Sequence, residues 1–396
     1  MPVSIRGVRA LVPAASGDLR PHDPSRRHWI FDSKIASPMS RWPPYRDDRR
    51  SWGIDALGSV VVEVETTSGH VGIAPSVGGP AAAYIVEHHL ARFVEGIALD
   101  RTAIETAWEQ MYAATLFYGR RGLVVNAISA IDLALWDALG QTLEAPVWSL
   151  LGGTPRDELA LYATTPDIAA ARELGFVGGK LPLPAGTAEG AAGVAENLAA
   201  AAAARAACED DDFFLAADCF MSMELEFATE VARGLADLGF IWIEEPLSPD
   251  DYGGQRLLRE RISPRIQHAA GEHEATRWGF ALLFDGRCID IAQPDVGWCG
   301  GLTELLRIAR LADAAGVLVI PHGSSVYSYH FCATRPQTPF GEFALLDPEG
   351  ATVSPQLAPL LLGEPLPENG RVRIPETPGF GVTLNRDLEL ARPYAR

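Results

Sequence analysis

Along residues 289–326 the apolar positions change period twice. Ile289, Ile291 and Ala292 form a short apolar run that ends in Gln293-Pro294-Asp295. Leu302, Leu305, Leu306, Ile308, Ala309, Leu311 and Ala312 then recur at the spacing of a helix with one buried face, and Gly316 stops it. Val317–Ile320 is a second continuous apolar run, ending in Pro321-His322-Gly323. Two such strands joined by a helix predict a parallel βαβ unit, because parallel pairing needs a long crossover and is covered on both faces. Asp295 and His322 then fall at the same, C-terminal edge of neighbouring strands.

The alternation continues through the middle of the chain. Apolar runs at Leu159–Ala163, Phe176–Leu181, Phe213–Asp218, Phe240–Glu245, Ile266–Glu272, Ile289–Pro294, Val317–His322 and Phe340–Leu345 are separated by helical stretches such as Ala188–Ala207, Glu224–Leu238 and Thr303–Ala315. Eight strands with helical crossovers predict an α/β fold, a (β/α)8-type (TIM-like) barrel over residues 127–346, modified by an irregular first or last unit. Upstream the order is different. Val3–Val12 and Gly58–Thr66 read as strands, the second turning at Ser68-Gly69, and helices follow around Ala82–Val94 and Ile104–Phe117. This predicts an α+β capping domain over residues 1–126. Pro21–Trp52 has no periodicity but holds Trp29, Phe31, Met39, Trp42, Tyr45 and Trp52. So many large apolar groups seek burial, which predicts an active-site lid rather than disorder. Its candidates for contacting an anion are His28, Lys34, Arg41 and Arg49. Residues 347–396, rich in Pro and Gly, are expected to return and cover the capping domain.

Composition narrows the class. The 396 residues are 47% apolar and 21% charged, as in a globular chain with a large core. A formal charge of −18 argues against nucleic acid or an anionic membrane as a partner. Cys208, Cys219, Cys288, Cys299 and Cys332 are odd in number and lack C-x-x-C spacing, which suggests reduced thiols in a cytoplasmic protein. The N-terminal residues carry no apolar core of signal-peptide length, and the alanine run Ala199–Ala207 is too short to span a bilayer.

Barrel enzymes carry their chemistry at the C-terminal ends of strands. The third strand ends in Asp218, the fourth in Glu244-Glu245 and the fifth in Glu272-His273. Any one of these acids reads as a surface salt bridge. Three on consecutive strands would repel one another unless a divalent cation sits between them, and oxygen-only ligands favour Mg²⁺ over zinc. The sixth, seventh and eighth strands add Asp295, His322 and Glu342. An acid beside an imidazole fixes its tautomer and raises its basicity. Alone, that pair is as readily structural; opposite a metal it makes a proton-abstraction site. Lys180, ending the second strand, either neutralises a substrate oxygen or closes a salt bridge. Trp298 and Cys299 read as packing, Cys219 as structural, and Glu245 as a group that orients its surroundings.

These stretches also carry a resemblance. ISAIDLALWDALGQ, PVWSLLGG, ADCF, WIEEP, AGEH, QPDVGWCGG and PHGSSVYSYH resemble the enolase superfamily in its mandelate racemase-like branch. HWIFDSKIASPMS, GGKLP, TPFGEF and PGFGVTLNRD extend the similarity, from end to end, to its L-rhamnonate dehydratase family. The resemblance implies that Asp218, Glu244 and Glu272 bind Mg²⁺ and that His322 is the base, with Asp295 its partner. It makes Glu342 a hydrogen-bonding group at a substrate carboxylate and His28 and Arg49 substrate-contacting lid residues, and it puts His273 beside the metal. The implied reaction removes the α-proton of an acid sugar and expels the β-hydroxyl, giving a 2-keto-3-deoxy acid. Racemases of the branch carry a K-x-K motif on the second strand. Here it reads Lys180-Leu181-Pro182, so the face opposite His322 lacks a second base. L-rhamnonate is the expected substrate, with L-mannonate and L-lyxonate as alternatives, and a homo-oligomer is expected. A Schiff-base aldolase using Lys180 and a non-catalytic binding protein remain as other classes. Pro182–Gly190 and Arg335-Pro336-Gln337 depart from the family pattern and are expected to border the distal sugar carbons.

Overall fold

The computed structural model describes residues 2–14, 28–46, 52–53, 56–152, 155–208 and 212–396. Arg49 and much of the expected lid lie outside these residues. The chain begins with an antiparallel sheet of β1 (Ile5–Pro13), β2 (Ser59–Thr66) and β3 (Val71–Val77). Along β1 the residues Val8, Ala10 and Val12 are buried in alternation, the two-residue period of a strand with one covered face. The helix Leu123–Thr142 packs along β3 and β2 and against the helix Gly301–Ala315, so it joins this sheet to the rest of the molecule. It is long and apolar enough to cross a membrane, but 89% of its apolar window is buried inside the protein. Contact with β3 is so close that a Cβ on Gly72 would stand 2.0 Å from the Ala134 carbonyl oxygen.

Eight parallel strands follow: β4 (Glu158–Thr164), β5 (Gly178–Pro182), β6 (Phe214–Asp218), β7 (Phe240–Glu244), β8 (Gln267–Ala270), β9 (Ile291–Ala292), β10 (Leu318–Val319) and β11 (Gly341–Ala344). They pair in chain order, and β11 returns to pair with β4. The expected barrel is present, and its irregular unit is the last. No ladder joins β10 to β11 among the described residues; instead the Thr338 hydroxyl donates to the Val319 carbonyl at 2.9 Å across that seam. β9 and β10 are shorter than the apolar runs suggest, although single bonds continue past them, from Gln293 N to Ala270 O and from Ile320 N to Ala292 O.

Tyr162, Ala216, Trp242, Ala269, Ile291 and Ile320, with Phe214 and Phe340 packed on them, plug the barrel interior. Tyr162 meets Trp242 edge to face at 5.4 Å and Phe214 stacks on Phe340 at 4.8 Å. Side chains on a strand share a face every second residue. Two positions beyond these plug residues stand Thr164, Asp218, Glu244, Gln293, His322 and Glu342. The aromatic floor and the polar rim are therefore one register.

The C-terminal return adds β12 (Leu361–Leu362), β13 (Arg371–Arg373), β14 (Thr383–Leu384) and β15 (Leu390–Ala391). β13 pairs antiparallel with β4, and β15 with β1, so the return touches both the barrel and the first sheet. Arg392 grips the buried Glu87 carboxylate with contacts of 2.6 and 2.8 Å. Asp137, buried on the helix Leu123–Thr142, ties three parts together: it accepts from Ile73 N on β3 (2.9 Å), Phe380 N of the return (2.8 Å) and its own helix's Gln141 Nε2 (2.8 Å). Removing one acceptor from buried donors costs about 1–3 kcal/mol per orphaned group. Asp137→Ala is thus expected to cost roughly 3 kcal/mol or more, and Asp137→Asn, which keeps an acceptor, distinctly less; urea unfolding midpoints check both.

Candidate active site

The strand ends surround one cavity of about 300 Å³, lined by Lys180, Asp218, Glu272, Asp295, His322 and Glu342 among others. His322 Nδ1 meets Asp295 Oδ2 at 2.9 Å. The other oxygen of Asp295 accepts from Gly297 N (2.6 Å) and the Ser324 hydroxyl (2.8 Å), which holds the carboxylate in place. With Nδ1–H donated to Asp295, Nε2 is left as the imidazole's basic edge; it stands 3.4 Å from Glu272 Oε1. Burial pulls the imidazole's pKa down, but Glu272, Glu342 and Asp295 outweigh it and hold it well above the usual value. Behind His322 the backbone is strained: Ser324 and Ser325 have φ of 60° and 46°, following Gly323, which takes its φ of 34° without a Cβ to clash. Strain of this kind clusters where function over-determines geometry.

On the other side of the cavity the acids divide into two sets. Lys180 is 1% exposed and contacts Glu244 directly, Glu342 at 2.8 Å and Asp218 at 3.5 Å. Burial lowers its pKa, yet Glu244 and Glu342 raise it far more, so it is an ammonium. Glu244 also accepts from Gln293 Nε2 (2.6 Å) and Trp242 Nε1 (3.2 Å). Burial, with Asp218 and Glu342 close by, pushes its carboxyl up to about 8 although Lys180 opposes the rise; donors aimed at both oxygens favour the ionised form. Glu342 accepts from the Thr164 hydroxyl and from Gly323 N at 2.9 Å. Burial raises its pKa, and Lys180 and His322 bring it down to about 2. Asp218 and Glu272 line the cavity, and burial pushes both carboxyls up.

Asp218, Glu244 and Glu272 fit a hard divalent cation in donor chemistry, being carboxylates at the C-terminal ends of three neighbouring strands, the first two buried and Glu272 partly so. They do not stand equally ready. Asp218 and Glu272 face the cavity, whereas Glu244 reaches a cation there only by exchanging a Lys180 contact for it. Among the described residues one set of metal-capable side chains, Glu245, Glu272 and His273, has its ligand atoms within 4.8 Å of one another. Glu245 and His273 are already paired, Nδ1 to Oε2 at 2.6 Å, and Gly271 N and His273 N donate to the other oxygen. That set reads as an ion pair beside one open carboxylate. Burial alone would raise Glu245 and lower His273; the partnership instead brings them to about 2 and about 9.

His28 lines the cavity, and its Nδ1 accepts from Ile30 N at 3.1 Å, which makes Nε2 the protonated nitrogen. The short helix Trp29–Asp32 is held by Trp29, wholly buried, whose indole N–H donates to Leu345 O. Burial of the lid aromatics is partial: Trp42 and Tyr45 are half exposed. Lys34 and Arg41 pair with Glu196 and Glu224 at the surface instead of facing the cavity. Two further expectations are corrected. No residue of Pro182–Gly190 or Arg335–Gln337 is among the described residues that line the cavity. The loop Pro182–Gly190 packs instead on the lid segment and the turn after β6, with Ala36 N bonded to Leu183 O, Leu183 N to Asp218 O and Thr187 N to Ser222 O. Trp298, expected as packing alone, lines the cavity between the imidazoles of His322 (5.5 Å) and His273 (5.8 Å). Gln293, Thr164 and Ser324 were not singled out in sequence; two-residue spacing from the barrel plug flags the first two.

Residues 167–388 match the model of the enolase C-terminal domain-like family, and residues 52–152 that of the mandelate racemase / muconate lactonizing enzyme N-terminal domain. The chain belongs to the enolase superfamily. Within it, an L-rhamnonate dehydratase of Saccharopolyspora erythraea is 51% identical over 394 residues, 99% of each chain. The crystal structure of a rhamnonate dehydratase from Gibberella zeae complexed with Mg matches with a TM-score of 0.92 at 42% identity, covering 98% of this chain and 95% of that one. A 3,6-anhydro-D-galactonate cycloisomerase from Zobellia galactanivorans matches at TM-score 0.75 and 28% identity over 97% of both.

The Glu245–His273 pair gives this superfamily member a defined pH response. His273 is raised to about 9, so its contribution to stability is complete below about 6.5 and is lost as pH rises through 9. Glu245 is lowered to about 2, so its contribution is present above about 4.5 and is lost as pH falls through 2. The stability gap between the natural protein and Glu245→Gln is therefore expected to be widest between about 4.5 and 6.5 and to shrink as pH rises from there to about 9. Urea midpoints across that range, with an NMR titration of His273, measure it.

Proposed function

We propose that this protein is a Mg²⁺-dependent acid-sugar dehydratase, a hydro-lyase acting on L-rhamnonate. One observation carries the reaction class: among the described residues, the barrel's strand ends give the cavity an acid–base group on one side only. His322 with Asp295 offers an imidazole backed by a carboxylate, while Lys180 is buried and bound by three carboxylates. An ammonium so held neither removes a proton nor forms an imine, which argues against two-base racemisation and against a Schiff-base aldolase. The 51% identity to an L-rhamnonate dehydratase across the full chain supports the sugar.

In this reading Asp218, Glu244 and Glu272 hold the ion, which when bound stabilises negative charge developing on the substrate carboxylate. His28 and Arg49 contact the substrate, and Glu342 and His273 flank its carboxylate end. His322 Nε2 takes the proton from C2, and Asp295 holds the imidazolium through Nδ1–H. The same Nε2 then returns that proton to the hydroxyl on C3. The C3–O bond breaks, C2=C3 forms, water departs from the face it shares with the proton, and the enol tautomerises to the 2-keto-3-deoxy acid. Lys180 serves the neighbouring carboxylates rather than the sugar. We place the enzyme in the cytoplasm, supported by five buried free thiols. We also read it as a homo-oligomer, supported by Phe117, which is 98% exposed between Leu116 and Tyr118.

EDTA is expected to abolish 2-keto acid formation from L-rhamnonate, and Mg²⁺ to restore it; turnover that survives exhaustive chelation rules out the ion's role. His322→Asn is expected to lower kcat by about 10²–10⁴ while the fold survives. Because one group handles the proton in both directions, the variant should also stop exchange of the C2 hydrogen in D₂O. NMR would detect exchange at the natural rate, which would assign the base elsewhere.

A further inference from the structure

Between β8 and the helix Tyr252–Ile262 lies a separate, much smaller cavity of about 10 Å³, lined among others by Glu245, Leu247, Gln255, His268, Gly271 and Leu283. All its lining residues but Pro249 are buried. Ala269 belongs to the barrel plug, so its neighbour His268 faces the helix layer. His268 and Gln255 are 0% and 2% exposed. The His268 ring is held in one tautomer. Its Nδ1 stands 2.9 Å from the Cys288 carbonyl, which only accepts, so Nδ1 carries the proton and Nε2 is a bare lone pair. Burial keeps the ring neutral, lowering its pKa to about 4 against the pull of Cys288 O and Asp290. The Gln255 amide is oriented in the same manner. Its Nε2 donates to Ser248 O and Pro249 O, both at 3.3 Å, which leaves Oε1 as an acceptor. Among the described residues no donor reaches either His268 Nε2 or Gln255 Oε1.

We propose that this cavity is a binding site for one water molecule, which donates one hydrogen to His268 Nε2 and the other to Gln255 Oε1. Two buried acceptors on one small space are costly unless a donor with two hydrogens stands between them. The surrounding side chains do not supply it. The Gln255 amide and His268 Nδ1–H are spent on carbonyls, and the carboxylates of Glu245 and Glu274 only accept. A volume of about 10 Å³ admits one water and nothing larger. A metal cation would draw the two carboxylates into its shell. Both are turned to other donors instead, Glu245 to Gly271 N and His273, and Glu274 to Ala275 N, Tyr252 and Arg121. The water thus ties the helix Tyr252–Ile262 to β8, the strand that runs on into Glu272 and His273.

The test uses the full-length Mg²⁺-loaded protein and needs no turnover, so it stands apart from the dehydratase reading. A crystal structure at a resolution that shows ordered water is expected to place one peak within about 2.7–3.2 Å of both His268 Nε2 and Gln255 Oε1. A flat map at that point overturns the site, and so does a peak whose height and distances fit a metal ion. In solution, ¹⁵N NMR is expected to show His268 with Nδ1 protonated and Nε2 bare; a proton on Nε2 overturns it. A double-mutant cycle then tests the bridge. Gln255→Met and His268→Phe are each expected to lower the urea midpoint, and the double variant to fall well short of the sum of the two shifts, because either change alone strands the water. Additive shifts overturn the bridge. Should a variant fail to fold, the map and the nitrogen spectrum of the natural protein decide the matter.

Discussion

A single buried ammonium sets the electrostatics of this barrel mouth. Asp218, Glu244 and Glu342 converge on Lys180, and without it three acids would sit a few ångströms apart out of reach of water. Like charges so placed drive one another to neutrality. Lys180 keeps Glu342 ionised, and Glu342 in turn faces His322 and the backbone amide of Gly323. The base on one wall is thus tuned partly by a lysine on the other. The same contacts explain why Lys180 is withheld from chemistry: a group that neutralises three neighbours is too strongly held to be a nucleophile or a base.

The barrel was legible from the chain because its strands are buried on both faces, so each appears as an uninterrupted apolar run with its chemistry at the end. The rim acids and His322 followed directly from that. What sequence did not disclose is how the acids pair. Glu244 and Asp218 look equivalent as strand-end carboxylates, but one is saturated by Lys180, Gln293 and Trp242 while the other opens to the cavity. That difference comes from strands adjacent in space, and no local pattern encodes it. The loop after Lys180 misled for the opposite reason. Nearness in sequence to a rim residue suggested a place in the cavity wall, whereas Leu183 is buried between Asp218 O and the Ala36 amide. The part of the cavity wall built by Gln356, Leu357 and Leu360 was illegible because it lies in a proline-rich stretch without period.

Lid, barrel and return meet at a few backbone groups. The Trp29 indole reaches Leu345 O, Trp108 reaches Gly300 O at 2.6 Å, and Asp137 reaches the amides of Ile73 and Phe380. Each joins segments far apart in the chain through one buried polar contact, where a mispairing leaves an unsatisfied donor. The cavity wall is therefore specified by hydrogen-bond accounting as much as by apolar packing.

The pairing of β15 with β1 and of β13 with β4 has a bearing on how the molecule is made. β1 finds β15 only after the whole barrel between them has been synthesised, and until then one edge of its sheet stays open. Leu357 and Leu360 of the cavity wall, and the Glu364 contact to Ser325 behind His322, arrive equally late. A nascent chain can hold a formed barrel with every rim acid in place and still lack a closed site. Closure of the site therefore waits on residues 347–396, and a chain stopped short of them exposes an unpaired strand edge of the kind that aggregates.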